Sequence, residues 1–264
     1  MKKLLPLFLA LTLLLAVLPA HAEETVLEDN AFLTVTLLNA EAADDTLSLE
    51  FSVVNKTETA LLCCLDCPAV NGYMADTNWF TEVGAGETRT DAFVLESLSA
   101  FGIPAPAAAV SFDLSAFDPD HWEERYCDKR VTVNPLGDDA AVFPEREVRA
   151  DDVVLLDTDD LTLIFTGADP ENELGWGACL YLVNKTGLRL SFFMEDCTIN
   201  GIACYPCWGG VLCPHTRSCS ELIAETYELA SIGVMPAEVR SVSGTVCATD
   251  VDGTGGEFFF TYPF

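Results

Sequence analysis

The stretch Thr46-Leu47-Ser48-Leu49-Glu50-Phe51-Ser52-Val53-Val54-Asn55-Lys56-Thr57 decides the fold. Leu47, Leu49, Phe51 and Val53 alternate with Thr46, Ser48, Glu50 and Ser52. A period of two places one set on the dry face of a strand and the other toward water. Val110, Phe112 and Leu114 repeat the pattern, as do Val131 and Val133. Asn71-Gly72, set between apolar stretches, is a hairpin signal, because a type I′ turn needs positive φ at both central positions. Only residues 96–102 and 221–231 read as partly helical, and both are short. Neither is long enough for the crossover of a parallel sheet, which excludes an α/β fold.

The deciding stretch occurs twice. Val54-Asn55-Lys56-Thr57 returns as Val183-Asn184-Lys185-Thr186, 129 residues on. Val70-Asn71-Gly72 returns as Ile199-Asn200-Gly201, Trp79 as Trp208 and Glu96 as Glu225, all at that offset. Trp176, Ala178, Leu180 and Leu182 keep the phase of Leu47 to Val53. Upstream, Asn30-Ala31-Phe32-Leu33-Thr34-Val35 is laid over Asp159-Asp160-Leu161-Thr162-Leu163-Ile164. Downstream the offset drifts: Phe101-Gly102-Ile103 meets Ile232-Gly233-Val234, and Asp118-Pro119-Asp120 meets Asp250-Val251-Asp252. Ordered matches along a whole unit mark an internal duplication.

The resulting plan is a signal peptide over 1–22, repeat 1 over 23–136, a linker over 137–149 and a cysteine-rich repeat 2 over 150–264. About seven short strands per unit, near residues 31–38, 46–55, 60–67, 73–82, 87–95, 108–117 and 129–134, predict an all-β protein. Its expected form is two tandem immunoglobulin-like antiparallel β-sandwiches. A small barrel is the runner-up.

A strand ending in Val-Asn-Lys-Thr, a Val-Asn-Gly hairpin, then Gly84-Ala85-Gly86-Glu87 and Phe101-Gly102-Ile103 resembles a module found singly or in tandem in exported proteins of Gram-positive anaerobes. The resemblance implies an immunoglobulin-like surface module with no assigned activity. The second unit departs from the plan where His215 replaces Gly86 and where extra cysteines appear.

The chain's 264 residues carry 42 acidic against 13 basic side chains and a formal charge of −29. Nothing so acidic neutralises phosphates, which excludes nucleic-acid and anionic-membrane partners. Half the residues are apolar, which excludes a disordered acidic tail. Lys2 and Lys3, the apolar run Leu4 to Leu18 and Ala20-His21-Ala22 read as a secretory signal with its cleavage site. That run falls short of the roughly 20 residues that span a bilayer. The expectation is a secreted protein, free of the membrane after cleavage, in a compartment that favours disulfides.

All 11 cysteines follow the signal: Cys63, Cys64, Cys67 and Cys127 in the first unit, then Cys179, Cys197, Cys204, Cys207, Cys213, Cys219 and Cys247. Stapling is the plainer reading. It pairs Cys127 with Cys63 or Cys64 and leaves Cys67 for the other, since neighbouring cysteines bond only under strain. Cys179 and Cys247, on outward positions, form a cross-strand bridge if their strands are neighbours. The sharper reading gathers Cys204, Cys207, Cys213, His215 and Cys219 as thiolate and imidazole ligands of a zinc ion. A redox role for Cys204-Tyr205-Pro206-Cys207 lacks the helix N-terminus such motifs use.

Asp250, Asp252, Gly253 and Glu257, echoed by Asp118, Asp120 and Glu123, suggest calcium, but each set lacks the third acidic position of a full loop. His121 and His215 lie in no nucleophile setting. Trp79 and Trp208 share a packing position, and the Asn-Lys-Thr triplets read first as turn chemistry. With no catalytic constellation and no resident cofactor expected, the sequence implies a non-enzymatic binding or surface-scaffold protein. Its partner would be an extracellular protein or glycan; a zinc-binding or thiol-active protein centred on residues 204–219 is the alternative.

Overall fold

A computed structural model describes residues 24–75, 77–137, 146, 149–251 and 258–263, the last segment by its backbone alone. The signal peptide and most of the linker (138–145, 147 and 148), with Asp252, Gly253 and Glu257, lie outside the described residues. The chain is built mainly of β-strands in three sheets. One holds β1 (Thr25–Asp29), β2 (Leu33–Ala43), β3 (Thr46–Asn55) and β7 (Thr88–Leu95), in that order. A long sheet runs β10 (Val153–Asp157), β11 (Leu161–Asp169), β12 (Gly175–Asn184), β16 (Arg217–Glu225), β5 (Tyr73–Met74), β4 (Leu61–Val70), β8 (Val110–Asp118), β9 (His121–Val133). β6 (Trp79–Val83) pairs with β4 off that path. The third sheet runs β14 (Ile202–Ala203), β13 (Leu190–Ile199), β17 (Val242–Asp250), β18 (Phe258–Pro263), with β15 (Gly209–Leu212) also on β13. Every pairing is antiparallel except β16 on β5. The helical expectations shrink to a 3-10 turn, Leu98–Phe101, and the six-residue α1, Thr226–Ser231.

The period of two fills two dry interiors. Leu47, Leu49, Phe51 and Val53 of β3 pack with Leu61, Leu65, Phe112 and Leu114 from the long sheet, and the Phe51 and Phe112 rings meet edge to face at 6.0 Å. In the second half Leu161, Leu163, Ala178, Leu180 and Leu182 pack with Leu190, Phe192, Val242 and Val246. Each such large side chain contributes about 1.5–3 kcal/mol by leaving water.

Corresponding positions share backbone geometry. Asn71-Gly72 and Asn200-Gly201 have φ of 52° and 77°, and of 51° and 77°. Gly102 and Gly233 are both left-handed, and behind them Ile103 N donates to Leu98 O as Val234 N donates to Leu229 O. Two expectations need correction. Leu33 pairs with Asn55 and Leu161 with Asn184, so Leu33 corresponds to Leu161 and not to Thr162. The hairpin between β11 and β12 holds one more residue, and a one-residue slip in a strand swaps its faces. β1 was not expected, because Thr25-Val26-Leu27-Glu28-Asp29 does not alternate; it pairs with β2 through a bulge.

The polar corners explain the repeated Asn-Lys-Thr. The buried Asn55 Nδ2 donates to Thr59 O, Val83 O and Gly84 O, while its Oδ1 accepts from Thr57 N and Oγ1. Asn184 Nδ2 donates to Leu188 O, Leu212 O and Cys213 O, and its Oδ1 accepts from Thr186 N and Oγ1. Lys56 reaches Asp29 Oδ1 at 2.6 Å, and Lys185 reaches Asp157 Oδ1 at 2.6 Å. Among the described residues no helix is long and apolar enough to cross a membrane.

Candidate functional site at the seam

The long sheet crosses from one half to the other at a single parallel pairing, Arg217 with Tyr73. The Asn71-Gly72 turn presents its carbonyl there: Arg217 N donates to Gly72 O at 2.9 Å. The Arg217 guanidinium lies over the Tyr73 ring at 5.1 Å, and Tyr73 packs on Tyr181 at 6.2 Å. Arg146 covers the other ring, 5.2 Å from the Tyr181 centroid, and holds Asp152 in a bidentate pair. Gly102, in the first half, sits so close to the Cys219 side chain that a Cβ there would collide with it.

Beside this joint β4 carries a bulge between Asp66 and Ala69, and Cys67 takes φ of 50°. The extra residue turns Cys67 away from the interior that holds Cys63 and into the interior of the second half. There the Cys67 Sγ, Cys213 Sγ and an Asp113 carboxylate oxygen lie within 4.8 Å of one another. Arg130 Nη1 donates to Cys67 O (2.9 Å), Asp113 Oδ1 (3.0 Å) and Cys213 Sγ (3.6 Å), and Nη2 donates to Ser111 Oγ. Arg189 Nη1 stands 4.0 Å from Asp113 Oδ2.

Burial pushes the Cys64 and Cys127 thiols up to about 11 and that of Cys197 up to about 12. Cys67 moves the other way, held below the ordinary thiol range by the hydrogen bond from Cys213, with Arg189 and Arg130 adding to the effect. Cys213, donor in that bond and buried, is raised. A cleft of about 520 Å³ opens onto this place, lined among others by Asp66, Cys67, Phe101, Arg189, Trp208 and Glu221.

The five residues expected to hold zinc are dispersed. Cys204 N donates to Cys197 O across the β13–β14 hairpin, and Cys207 is exposed and bridges to Ile223. Cys213 turns to Cys67 and Asp113, His215 sits exposed in a left-handed turn, and Cys219 lies opposite Tyr181. Close spacing along the chain fails here because these residues enter and leave two different sheets. Among the described residues only Cys67, Asp113 and Cys213 form a three-ligand grouping.

The expected staples also need correction, and no disulfide links the described residues. Cys179 lies on β12 and Cys247 on β17, strands of different sheets. Cys63 and Cys127 flank Ala116 on β4 and β9 with β8 between them, about twice the 4.7–4.9 Å strand spacing and beyond disulfide reach. Cys64 points to the opposite face from Cys63.

Asp118 is nearly buried and accepts from Asp120 N, and its other oxygen lies 3.5 Å from exposed His121. It organises its own turn and forms no three-ligand group with Asp120 and Glu123 among the described residues. Trp79 packs on Phe51 at 5.6 Å and Trp208 on Phe192 at 5.0 Å, with Trp208 Nε1 donating to Ser220 Oγ. Both tryptophans pack against the interior. Arg130, Arg189 and Asp113 escaped the sequence reading. Their one signal was scarcity, two arginines among 13 basic side chains in an acidic protein.

No known family model matches the chain, and no curated protein does. Among solved structures, the YadV chaperone is similar at 13% identity over 82% of this chain and 92% of that one, with a TM-score of 0.25. A Salmonella enterica SafA pilin in complex with the SafB chaperone matches at 11% identity over 82% and 89%, with a TM-score of 0.22. A red sea bream transglutaminase matches at 10% over 85% of this chain but 31% of its own length, with a TM-score of 0.23. Similarity this slight identifies neither a family nor an activity.

Proposed function

We propose that the chain is an exported, non-enzymatic binding or surface-scaffold protein made of two homologous immunoglobulin-like β-sandwiches, and that the cleft at their seam receives the ligand. The matched asparagine corners, left-handed turns and strand registers support the duplication. Two layers around each interior support the sandwich.

The observation that carries the binding reading is the cleft itself. Its volume of about 520 Å³ falls within the usual size of ligand pockets, and the half-buried Phe101 and the edge of the buried Trp208 line it beside Arg189, Asp66 and Glu221. An extracellular glycan or a peptide segment of a protein partner, either of which offers apolar faces edged with hydrogen-bonding groups, suits that lining. Thermal-shift and calorimetric titration of the full chain with neutral oligosaccharides and short basic peptides tests it. Saturable binding lost in Arg189→Ala supports the reading. Binding that ignores Arg189→Ala, or chemical turnover of any probe, overturns it. Export is read from the N-terminus of the secreted product, expected at Glu23.

A further inference from the structure

Two thiols from opposite halves of the chain meet at the seam, and we infer that Cys67 and Cys213 form a disulfide that clasps the halves together, made by exchange with a disulfide-bearing oxidant. Cys67 arrives from the bulge of β4 and Cys213 from the residue after β15. Both Sγ atoms lie in the second interior within 4.8 Å of each other. Cys63, the neighbour that local spacing offers to Cys67, stays in the first interior on the far side of the bulge.

A divalent cation is the rival occupant of two sulfurs and a carboxylate. The charges argue against it. Arg130 sits 3.0 Å from Asp113 and 3.6 Å from Cys213 Sγ, and Arg189 closes the other side at 4.0 Å from Asp113. Two guanidinium groups repel a metal ion and at the same time hold a thiolate.

The order of events follows from access. Cys67 lines the cleft and is 9% exposed, whereas Cys213 is 1% exposed, so the oxidant meets Cys67 first. Its thiolate attacks one sulfur of the oxidant's disulfide, forming a mixed disulfide and releasing one thiolate of the oxidant. Once Cys67 is in the mixed disulfide, Cys213, whose Sγ lies 4.0 Å from Asp113 Oδ2, passes its proton to that carboxylate and displaces the second thiolate. One S–S bond is broken and one is made. The two cysteines lose two electrons and two protons, and the oxidant leaves as two thiols. The clasp stands independently of whether the cleft binds a ligand.

The test equilibrates the full chain in glutathione/glutathione disulfide buffers, alkylates the remaining thiols and maps the peptides by mass. The expected result is a peptide carrying Cys67 joined to one carrying Cys213, released by dithiothreitol. The melting temperature of the oxidised chain should exceed that of oxidised Cys213→Ser by about 5–10 °C, because the bond closes a long loop. Cys67→Ser should lose the same increment, which guards against one variant failing for its own reasons. Both cysteines alkylated even in the most oxidising buffer, or Cys67 joined to Cys63 or Cys64, overturns the inference. So does stoichiometric zinc taken up by the reduced chain and lost in Cys67→Ser.

Discussion

Asn55 and Asn184 stand 129 residues apart and do the same thing, each closing a buried corner with three donated and two accepted hydrogen bonds. Cys67 and Asp196 are also 129 residues apart and share a φ of 50°, yet they do opposite things. Asp196 is exposed, while Cys67 lies at the seam against Cys213. A position that fixes the backbone is constrained by the buried amides around it, since a lost partner there costs a full desolvation. One that only rides on the backbone is free to acquire a new neighbour. The halves therefore agree where the chain must turn and differ where the surfaces meet.

The comparison is broken most forcefully in the interiors. Phe51→Ala should cost about 3–5 kcal/mol and its counterpart Leu180→Ala about 2–5 kcal/mol in urea unfolding, by lost burial plus the cavity left behind. If the seam couples the halves, either change moves one shared transition; two separate transitions would show halves that unfold alone. Asn55→Ala and Asn184→Ala should each cost about 2–3 kcal/mol, because three carbonyl acceptors lose their donor. Costs differing by more than about 1 kcal/mol would end the equivalence of the corners.

Acid separates the halves differently. The hydrogen bond from Arg146 holds the Asp152 carboxyl down to about 2, and Lys129 holds Glu28 below its ordinary range. A lowered carboxyl stabilises the folded state above its unfolded value, near 3.9 for Asp, and loses that contribution as the pH falls through the folded value. Stability should thus decline between about pH 4 and about pH 2, and Asp152→Asn should flatten that decline in a pH series of urea midpoints.

The smallest effect concerns one turn. Gly86 has φ of 67° and His215 has φ of 55° at the matching place. His215→Gly should gain about 1 kcal/mol and Gly86→His lose about as much, since a Cβ is penalised in the left-handed region. A cost for His215→Gly would mean that the imidazole contributes something there that the glycine turn does without.

Much of the architecture was legible. Alternation at Leu47 to Val53 and the Asn-Gly turns named strands and hairpins because both depend on neighbours in sequence. The register of Leu33 slipped because the loop that offsets it leaves no mark in the apolar pattern. The site was hidden for a different reason. Cys67, Asp113, Arg130 and Cys213 come from β4, β8, β9 and the end of β15, so only strand order and one bulge bring them together. Spacing along the chain instead drew attention to residues 204–219, whose members face different neighbours.

The contact between the halves joins a hairpin tip on one to the start of a strand on the other, unlike surfaces meeting head to tail. A junction of that kind, once repeated, closes into a ring or grows into a filament. The surfaces that correspond to the seam elsewhere in the chain carry different residues. Where the tip carries Tyr73 the second half has Ile202; where the receiving strand begins with Arg217 the first half has Thr88; and Ser52 stands at the place of Tyr181. Neither outer surface repeats the ring, the guanidinium and the sulfur that meet at the seam.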